Sequence, residues 1–418
     1  MWVAVVELPD LGGERRRKTI VRAKKADALR ELRALHVTVA KTGDLGDPAP
    51  TLEAWVTEWW EGYAPQKIKV TQWGNYQTAF RNYILPFLGK KKLDKIDVGT
   101  IERWHRWLVA PKPDGAGISA RTALGAHQQL STVLTYGMRR EKISRNVAMI
   151  AGPPKVLAKE KSYLDSTEAR AVLATHDPGG GKIPMPLAMY STAFFIGLRP
   201  SELLGLTRDM IDLDAAEVTI SWQVQRIKPE HGCGSQEGNA WPCGKKAAGY
   251  CPKRVTTIPD HTEARHVEGT TYLVRPKTST SWRKLPVPAP LVAIWREYLD
   301  QSKPGIEGLI FHRPRGGKGK GAVNGRPISL EDWGDRWLDG LIAAGITRPE
   351  GVAMPTPHSA RKTCNTVLTE LGYHVDVRIK ILGHAGAEVN KVYTHTSDIR
   401  VREALEGIGN ALDWRRQD

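Results

Sequence analysis

The sequence predicts a mainly α-helical, multidomain protein with small antiparallel β-sheets. Three observations lead there. Two stretches rich in Gly, Pro or Lys, 41–50 and 151–161, divide the 418-residue chain into pieces of domain size. Between them, apolar residues recur at helical spacing. Alternating apolar and polar runs, the mark of half-buried strands, occur near the N-terminus and between 217 and 287.

Trp2 to Leu8 alternates as a strand, and Asp10 to Gly13 is a turn. Arg15 to Val21 reads as a second strand, basic at its start. Lys25 to His36 follows as a helix with Ala26, Leu29, Leu32 and Leu35 on one side. Residues 1–46 thus form a ββα unit with a basic hairpin. A hairpin backed by a helix can enter a DNA groove, or it can simply cap a neighbour, and both readings stand.

Residues 51–150 are helical. Thr51 caps a helix through Tyr63 with Leu52, Trp55, Val56 and Trp59 inward; a second helix runs from Thr71 to Tyr83, and Pro86 and Gly89 break the chain. Val98–Leu108 and Ser119–Arg140 supply two more. Trp55, Trp59, Trp60, Trp73, Trp104 and Trp107 read as core. The segment holds 15 Lys/Arg against 8 Asp/Glu, and Lys90, Lys91 and Lys92 fall in a loop where phosphates can be held.

The third piece, 160–418, opens with Asp165 as an N-cap and Glu168 three positions later, a capping box. Pro186 to Ile196 is apolar throughout and predicts a buried helix. Gly197 stops it, Pro200 opens the next, and Arg199 sits at the junction. Strands are expected at Glu217–Gln225, Thr271–Arg275 and Arg283–Val287, the last two joined by a polar hairpin loop, Pro276 to Ser281. Helices follow at Leu291–Leu299 and Ser329–Ala344, then around His358–Tyr393. A tail helix from Asp398 carries Ile399, Val401, Leu405, Ile408 and Leu412 on its apolar face.

Lys plus Arg number 61 against 45 Asp plus Glu, a net charge of +16 and an isoelectric point near 9.6. An excess of that size points to a polyanionic partner, most often nucleic acid. No run of 18 apolar residues is present, so no membrane span is expected, and the N-terminus lacks a signal-peptide pattern. The four cysteines form no paired framework, which predicts a reducing compartment, the cytoplasm.

The chemistry concentrates in a few polar residues. His358 and Arg361 share one face of a turn, His384 stands 23 positions after Arg361, and Tyr393 nine further on. A phosphodiester under attack gathers negative charge on its non-bridging oxygens, and fixed guanidinium groups suit it. Arg199 and Arg361 can supply them. His358 and His384 can donate or shuttle protons. Tyr393 can attack phosphorus and split one hard step into two. Lys277, on the hairpin loop, can protonate the leaving oxygen, and Lys284 is the alternative. Glu202 is placed to orient Arg199. No carboxylate cluster marks a Mg²⁺ site.

Taken together, Gly197-Leu198-Arg199-Pro200-Ser201-Glu202, Pro276-Lys277-Thr278, His358-Ser359-Ala360-Arg361, Leu382-Gly383-His384 and Tyr393-Thr394-His395 resemble the motifs of the tyrosine recombinase (phage integrase) family. The resemblance is close over 160–400. It implies an arm-type DNA-binding ββα domain, a helical core-site-binding domain and a mixed α/β catalytic domain. The family's N-terminal unit has three strands where this sequence shows two. The resemblance also implies site-specific recombination: Tyr393 cleaves one strand to leave a 3′-phosphotyrosine and a free 5′-hydroxyl, and rejoining proceeds through a Holliday junction. Four protomers act on two DNA attachment sites, with neither ATP nor metal required and with a directionality factor as a further partner. The tail helix is expected to dock on a neighbour. Two other readings remain, a type IB topoisomerase or resolvase with the same chemistry, and a DNA-binding regulator without catalysis.

One stretch departs from the family. Residues 226–269 exceed what a strand-to-strand connection needs and contain His231, Cys233, Cys243 and Cys251, with His261 and His266 behind. Three Cys and one His can close a tetrahedral structural zinc site. The spacing is not that of paired Cys-x-x-Cys knuckles, and a basic loop with free thiols is the other reading. Cys364 reads as a packing residue.

Overall fold

A computed structural model describes residues 1–11, 14–42, 49–64, 68, 70–156, 162–234, 240–258, 262–275, 282–313, 325–383 and 398–415. The chain divides into two compact units, Met1–Ala158 and Lys159–Asp418.

The first unit opens with strands β1 (Trp2–Leu11) and β2 (Glu14–Arg22), paired antiparallel with Trp2 opposite Arg22, followed by helix α1 (Lys25–Thr42). Alternation puts Val6 and Ile20 inward, while Val3, Val5 and Val21 stay exposed on the other face. The helix buries Ala28 and leaves Leu29 exposed, so the apolar stripe is rotated from the expected one. Arg22 pairs with Glu31 at 2.5 Å, tying strand to helix.

The rest of this unit is a helical bundle: α2 (Leu52–Gly62), α3 (Val70–Ala79), α4 (Leu85–Leu88), α5 (Val98–Val109), α6 (Ala120–Arg139) and α7 (Val147–Ala151). Side-chain oxygens of Thr51, Asp97 and Ser119 cap α2, α5 and α6, each accepting from the backbone N–H three residues on. Trp55, Trp59 and Trp104 are fully buried, whereas Trp60, Trp73 and Trp107 pack against that core. The indoles of Trp55 and Trp104 donate to the carbonyls of Val133 (3.2 Å) and Tyr83 (2.7 Å).

Pro86 does not break the chain as expected. A π-helical turn, Phe80–Ile84, bridges α3 to α4, and Pro86 lies in the first turn of α4. Proline clashes with the carbonyl four residues back in a regular α-helix. One wider turn just before it relieves that clash and lets the helix continue to Leu88.

The second unit is built around α9 (Met185–Phe195), in which all residues from Leu187 to Phe195 are buried. Helix α8 (Ser166–His176) precedes it. Its start has both bonds of the capping box, Glu168 N–H to Asp165 Oδ1 at 2.8 Å and Asp165 N–H to Glu168 Oε2 at 3.2 Å. Helices α10 (Pro200–Leu204), α11 (Ala289–Gln301), α12 (Leu330–Ala343), α13 (Ser359–Glu370), α14 (Val375–Leu382) and α15 (Asp398–Ala411) complete the helical layer.

Two three-stranded antiparallel sheets flank this core. One has the order β3 (Ile211–Asp212), β4 (Glu217–Ile220), β8 (Arg283–Pro286). The other has the order β5 (Gln223–Arg226), β7 (Thr271–Val274), β6 (Ala264–Glu268). The single strand expected over 217–225 is therefore two strands in different sheets. Val218, Ile220, Trp222 and Val224 are all buried, so alternation runs on while the pairing partner changes. Likewise β7 and β8 do not pair as one hairpin. The last strand of the insertion, β6, was not anticipated; its residues gain their place by pairing with β7.

The tail helix α15 docks on its own chain. Val401, Ala404, Leu405, Ile408 and Leu412 are buried in the main core, Tyr373 donates to the carbonyl of Glu403, and Lys380 pairs with Asp398 at 2.7 Å. Ile399, expected on the buried face, is exposed. A Leu405→Ala substitution deletes a fully buried side chain and is expected to destabilise the second unit by about 2–5 kcal/mol. Urea denaturation followed by tryptophan fluorescence measures it; a loss within error of zero would mean α15 contributes nothing to this core.

Candidate active site

The residues around Arg199 and Arg361 come together where four pieces of chain meet. Gly197 ends α9 with φ +58, a conformation that glycine adopts at little cost. A Cβ there would lie 2.7 Å from Leu382 Cδ2 and 2.8 Å from Cys364 Sγ. The glycine thus permits the turn before Arg199 to press directly on α13 and α14. Cys364 fills that contact; fully buried, its thiol is pushed up to about 12. It is the packing residue the sequence suggested.

Arg199, at the N-cap of α10, donates from Nη1 to Glu202 Oε1 (2.6 Å) and from Nη2 to the carbonyl of Gly383 (2.8 Å). Arg361, in the first turn of α13 and only 3% exposed, donates to the carbonyls of Gly197 (2.9 Å) and Leu382. A third guanidinium joins them. Arg283, at the start of β8 and 8% exposed, donates to Glu202 Oε2 at 3.0 Å and to the carbonyl of Ile381 at 2.9 Å. Its pairing with Glu202 is salt-bridged at both buried side chains.

The carbonyls of Ile381, Leu382 and Gly383 end α14, the negative pole of its dipole. Each receives one of the three arginines. Three cations therefore share one helix terminus, and two of them, Arg199 and Arg283, also share one carboxylate. Burial alone would raise the pKa of Glu202, but Arg283 and then Arg199 more than reverse this and hold it below the ordinary 4.5. Burial, followed by the charges of Arg199 and Arg283, pulls Arg361 down to about 9, with Glu202 opposing. It stays protonated at neutral pH. The cluster carries excess positive charge at a place where an anion would relieve it.

His358 lies at the N-terminus of α13, exposed, one turn before Arg361. Lys277, His384 and Tyr393 lie outside the described residues, as does His261. Lys284, the alternative acid, is exposed and paired with Glu217 at 2.5 Å. Strand alternation sends it to the opposite face from its neighbour Arg283, away from Glu202. Arg283, which no motif singles out, is the third guanidinium of this cluster. Its signal was an arginine at an inward position of a strand, in register with Leu285.

His231, Cys233, Cys243 and Cys251 gather at a separate place in the insertion, their ligand atoms all within 4.8 Å of one another. His266 is not among them and bonds the carbonyl of Gly269 instead.

Residues 51–108 match the model of the phage integrase N-terminal SAM-like domain, and residues 262–400 match that of the phage integrase family. The chain belongs to the tyrosine recombinase family. It is a site-specific recombinase, an enzyme that breaks and rejoins DNA strands. An integrase of Saccharopolyspora erythraea is 25% identical over 385 residues, covering 87% of this chain and 83% of that protein. Among solved structures, the Tn1549 transposon integrase in complex with transposon right end DNA superposes with a TM-score of 0.59 at 18% identity, over 85% of this chain and 99% of that one. A lambda integrase dimer bound to a core site gives 0.52 at 15% identity, over 94% and 87%. These two likenesses concern the fold. No described helix is long and apolar enough to cross a membrane.

Glu202→Gln keeps the shape of the side chain and removes the shared charge, so the recombinase should lose about 3 kcal/mol of stability at neutral pH, as when one partner of a buried ion pair is removed. Because the folded-state pKa of Glu202 is depressed, its contribution is complete above 4.5 and lost as pH falls through the lower folded value. Denaturation midpoints measured from neutral to acid pH should therefore fall below 4.5 in the wild type, with that component missing in the variant. Superimposable pH profiles would contradict the assignment.

Proposed function

We propose that the arginine cluster seats the scissile phosphate of attachment-site DNA and that the recombinase cuts it with Tyr393. The observation that carries this reading is the imbalance at the cluster, three buried or half-buried guanidinium groups around a single carboxylate. A phosphodiester supplies the missing negative charge and gains more of it as the pentavalent centre forms. Fixed cations stabilise that change without reorganising.

In this reading the Tyr393 hydroxyl attacks phosphorus, its proton passes to His358 or His384, and the P–O bond to the 5′-oxygen breaks. Lys277 protonates the departing oxygen. Arg199 and Arg361 hold the non-bridging oxygens, with His358 and His384 as further donors, while Glu202 and Arg283 position Arg199. The product is a 3′-phosphotyrosine with a free 5′-hydroxyl on the other side of the nick. The hydroxyl of a partner strand reverses the step, through a Holliday junction, in an assembly of four protomers on two DNA sites. The bond energy is kept in the phosphotyrosine, so the step needs no ATP, and the cations do the work a metal would otherwise do. The helical segment 51–150 holds the core of the site, and the ββα segment 1–46 takes a second, arm-type DNA site. A directionality factor and the bacterial cytoplasm complete the proposal.

The test is a duplex nicked just 3′ of the cleavage site, from which the short fragment bearing the free 5′-hydroxyl diffuses away and so traps the adduct. Wild type is expected to yield a covalent protein–DNA band, and Tyr393→Phe none, with DNA binding retained. An adduct from Tyr393→Phe would refute the nucleophile. Arg199→Ala and Arg361→Lys should each slow adduct formation by about 10²–10³-fold, the loss usual for one fixed donor to a developing oxyanion. Wild-type rates in both variants would remove the phosphate seat from this cluster.

A further inference from the structure

We propose that His231, Cys233, Cys243 and Cys251 bind one zinc ion, which takes the place of an apolar core in the insertion between β5 and β6. His231 Nδ1 lies 3.8 Å from Cys233 Sγ and 3.4 Å from Cys243 Sγ. In a tetrahedral site with Zn–S about 2.3 Å and Zn–N about 2.0 Å, nitrogen and sulfur ligands stand about 3.5 Å apart. The two contacts are thus close to the edges of such a tetrahedron, and Cys251 supplies the fourth corner.

Burial points the same way. Among the described residues from 228 to 263, Cys251 is the one buried residue. A segment that long cannot be held by apolar packing when its interior is one sulfur atom. The backbone nevertheless converges there. Glu230 and Val255 exchange both N–H···O bonds, 2.8 and 3.0 Å, and close the base of the loop. A side chain at Gly232 would run into the carbonyl of Lys253, so the two arms touch through backbone. Tight turns surround the sulfurs: Gly244 N–H donates to Trp241 O (2.8 Å) and Cys251 N–H to Ala248 O (3.0 Å). The Trp241 ring stacks on His231 at 4.1 Å and 7°, fixing the imidazole plane.

The chemistry favours zinc among metals. Thiolates with one imidazole form a borderline-soft donor set that closes four-coordinate sites. All three cysteines are free thiols, so no disulfide accounts for their convergence. On binding, the three thiols release their protons to solvent, and the site carries one net negative charge. Lys245, Lys246, Lys253 and Arg254, exposed beside the ligands, offset it. No ligand of the site belongs to the arginine cluster, and the role we assign to it is structural. It fastens together the loop that joins β5 and β6, the two outer strands flanking β7.

Metal analysis of the full-length protein, purified without chelator, is expected to find one zinc per chain. Cobalt(II) added to protein stripped of metal should give visible bands of a tetrahedral thiolate site. Cys243→Ser should bind less than a tenth as much metal with its far-ultraviolet dichroism unchanged. Trypsin should cleave after Lys245 and Lys246 at least tenfold faster once the metal is removed. Sub-stoichiometric zinc with no cobalt spectrum would overturn the site. So would full metal content in the Cys243→Ser/Cys251→Ser protein, or a disulfide among the three cysteines in alkylated, denatured wild type.

Discussion

The arginine cluster turns on the carboxylate of Glu202. It is 1% exposed and accepts from Arg199 and Arg283 at once. A buried carboxylate on its own would take up a proton, and three clustered guanidinium groups on their own would repel. Each problem solves the other only in part, because one negative charge faces three positive ones. The remaining excess cannot be hidden by folding. The terminal carbonyls of α14 soften it through their dipoles, and a phosphate seated there as proposed would remove it. In that proposal, affinity for the phosphate and the repulsion within the cluster are two views of one charge imbalance.

That imbalance needs a rigid frame. Gly197 provides a point of near contact between the turn at Arg199 and the helices behind it, and Cys364 seals the gap. Around them α9 is buried on all sides, with Trp295 and Trp337 fully enclosed nearby. Interiors packed this way transmit displacement, not absorb it. A shift of α13 or α14 therefore moves a guanidinium directly.

Much of this could be read from the residues alone. Caps at Thr51 and Asp165 mark helix starts because their signals are local. Arg199 and Arg361 stand beside Gly197 and within His-x-x-Arg, and the structure brings both side chains to Glu202 or its neighbours. Arg283 escaped notice because its partner lies 81 residues away, and nothing near it in sequence shows that an inward arginine has a carboxylate to meet. The break between β4 and β5 escaped for a related reason. Alternation records which face is buried, not which strand lies alongside. Pro86 misled because a proline ends a regular helix, but a widened turn accommodates it. Ile399 fits the helical period of the tail but lies at its first turn, before the helix meets the core.

The ion pair between Lys380 and Asp398 links the tail of the chain to the arginine cluster. It pins the start of α15 to α14, the helix whose terminal carbonyls hold the arginines. Gly383 closes α14 and Asp398 opens α15, so both are held at one helix. Burial of Val401, Leu405 and Ile408 then anchors α15 in the core. The docking of the tail is thereby coupled to the carbonyl terminus on which the three guanidinium groups converge.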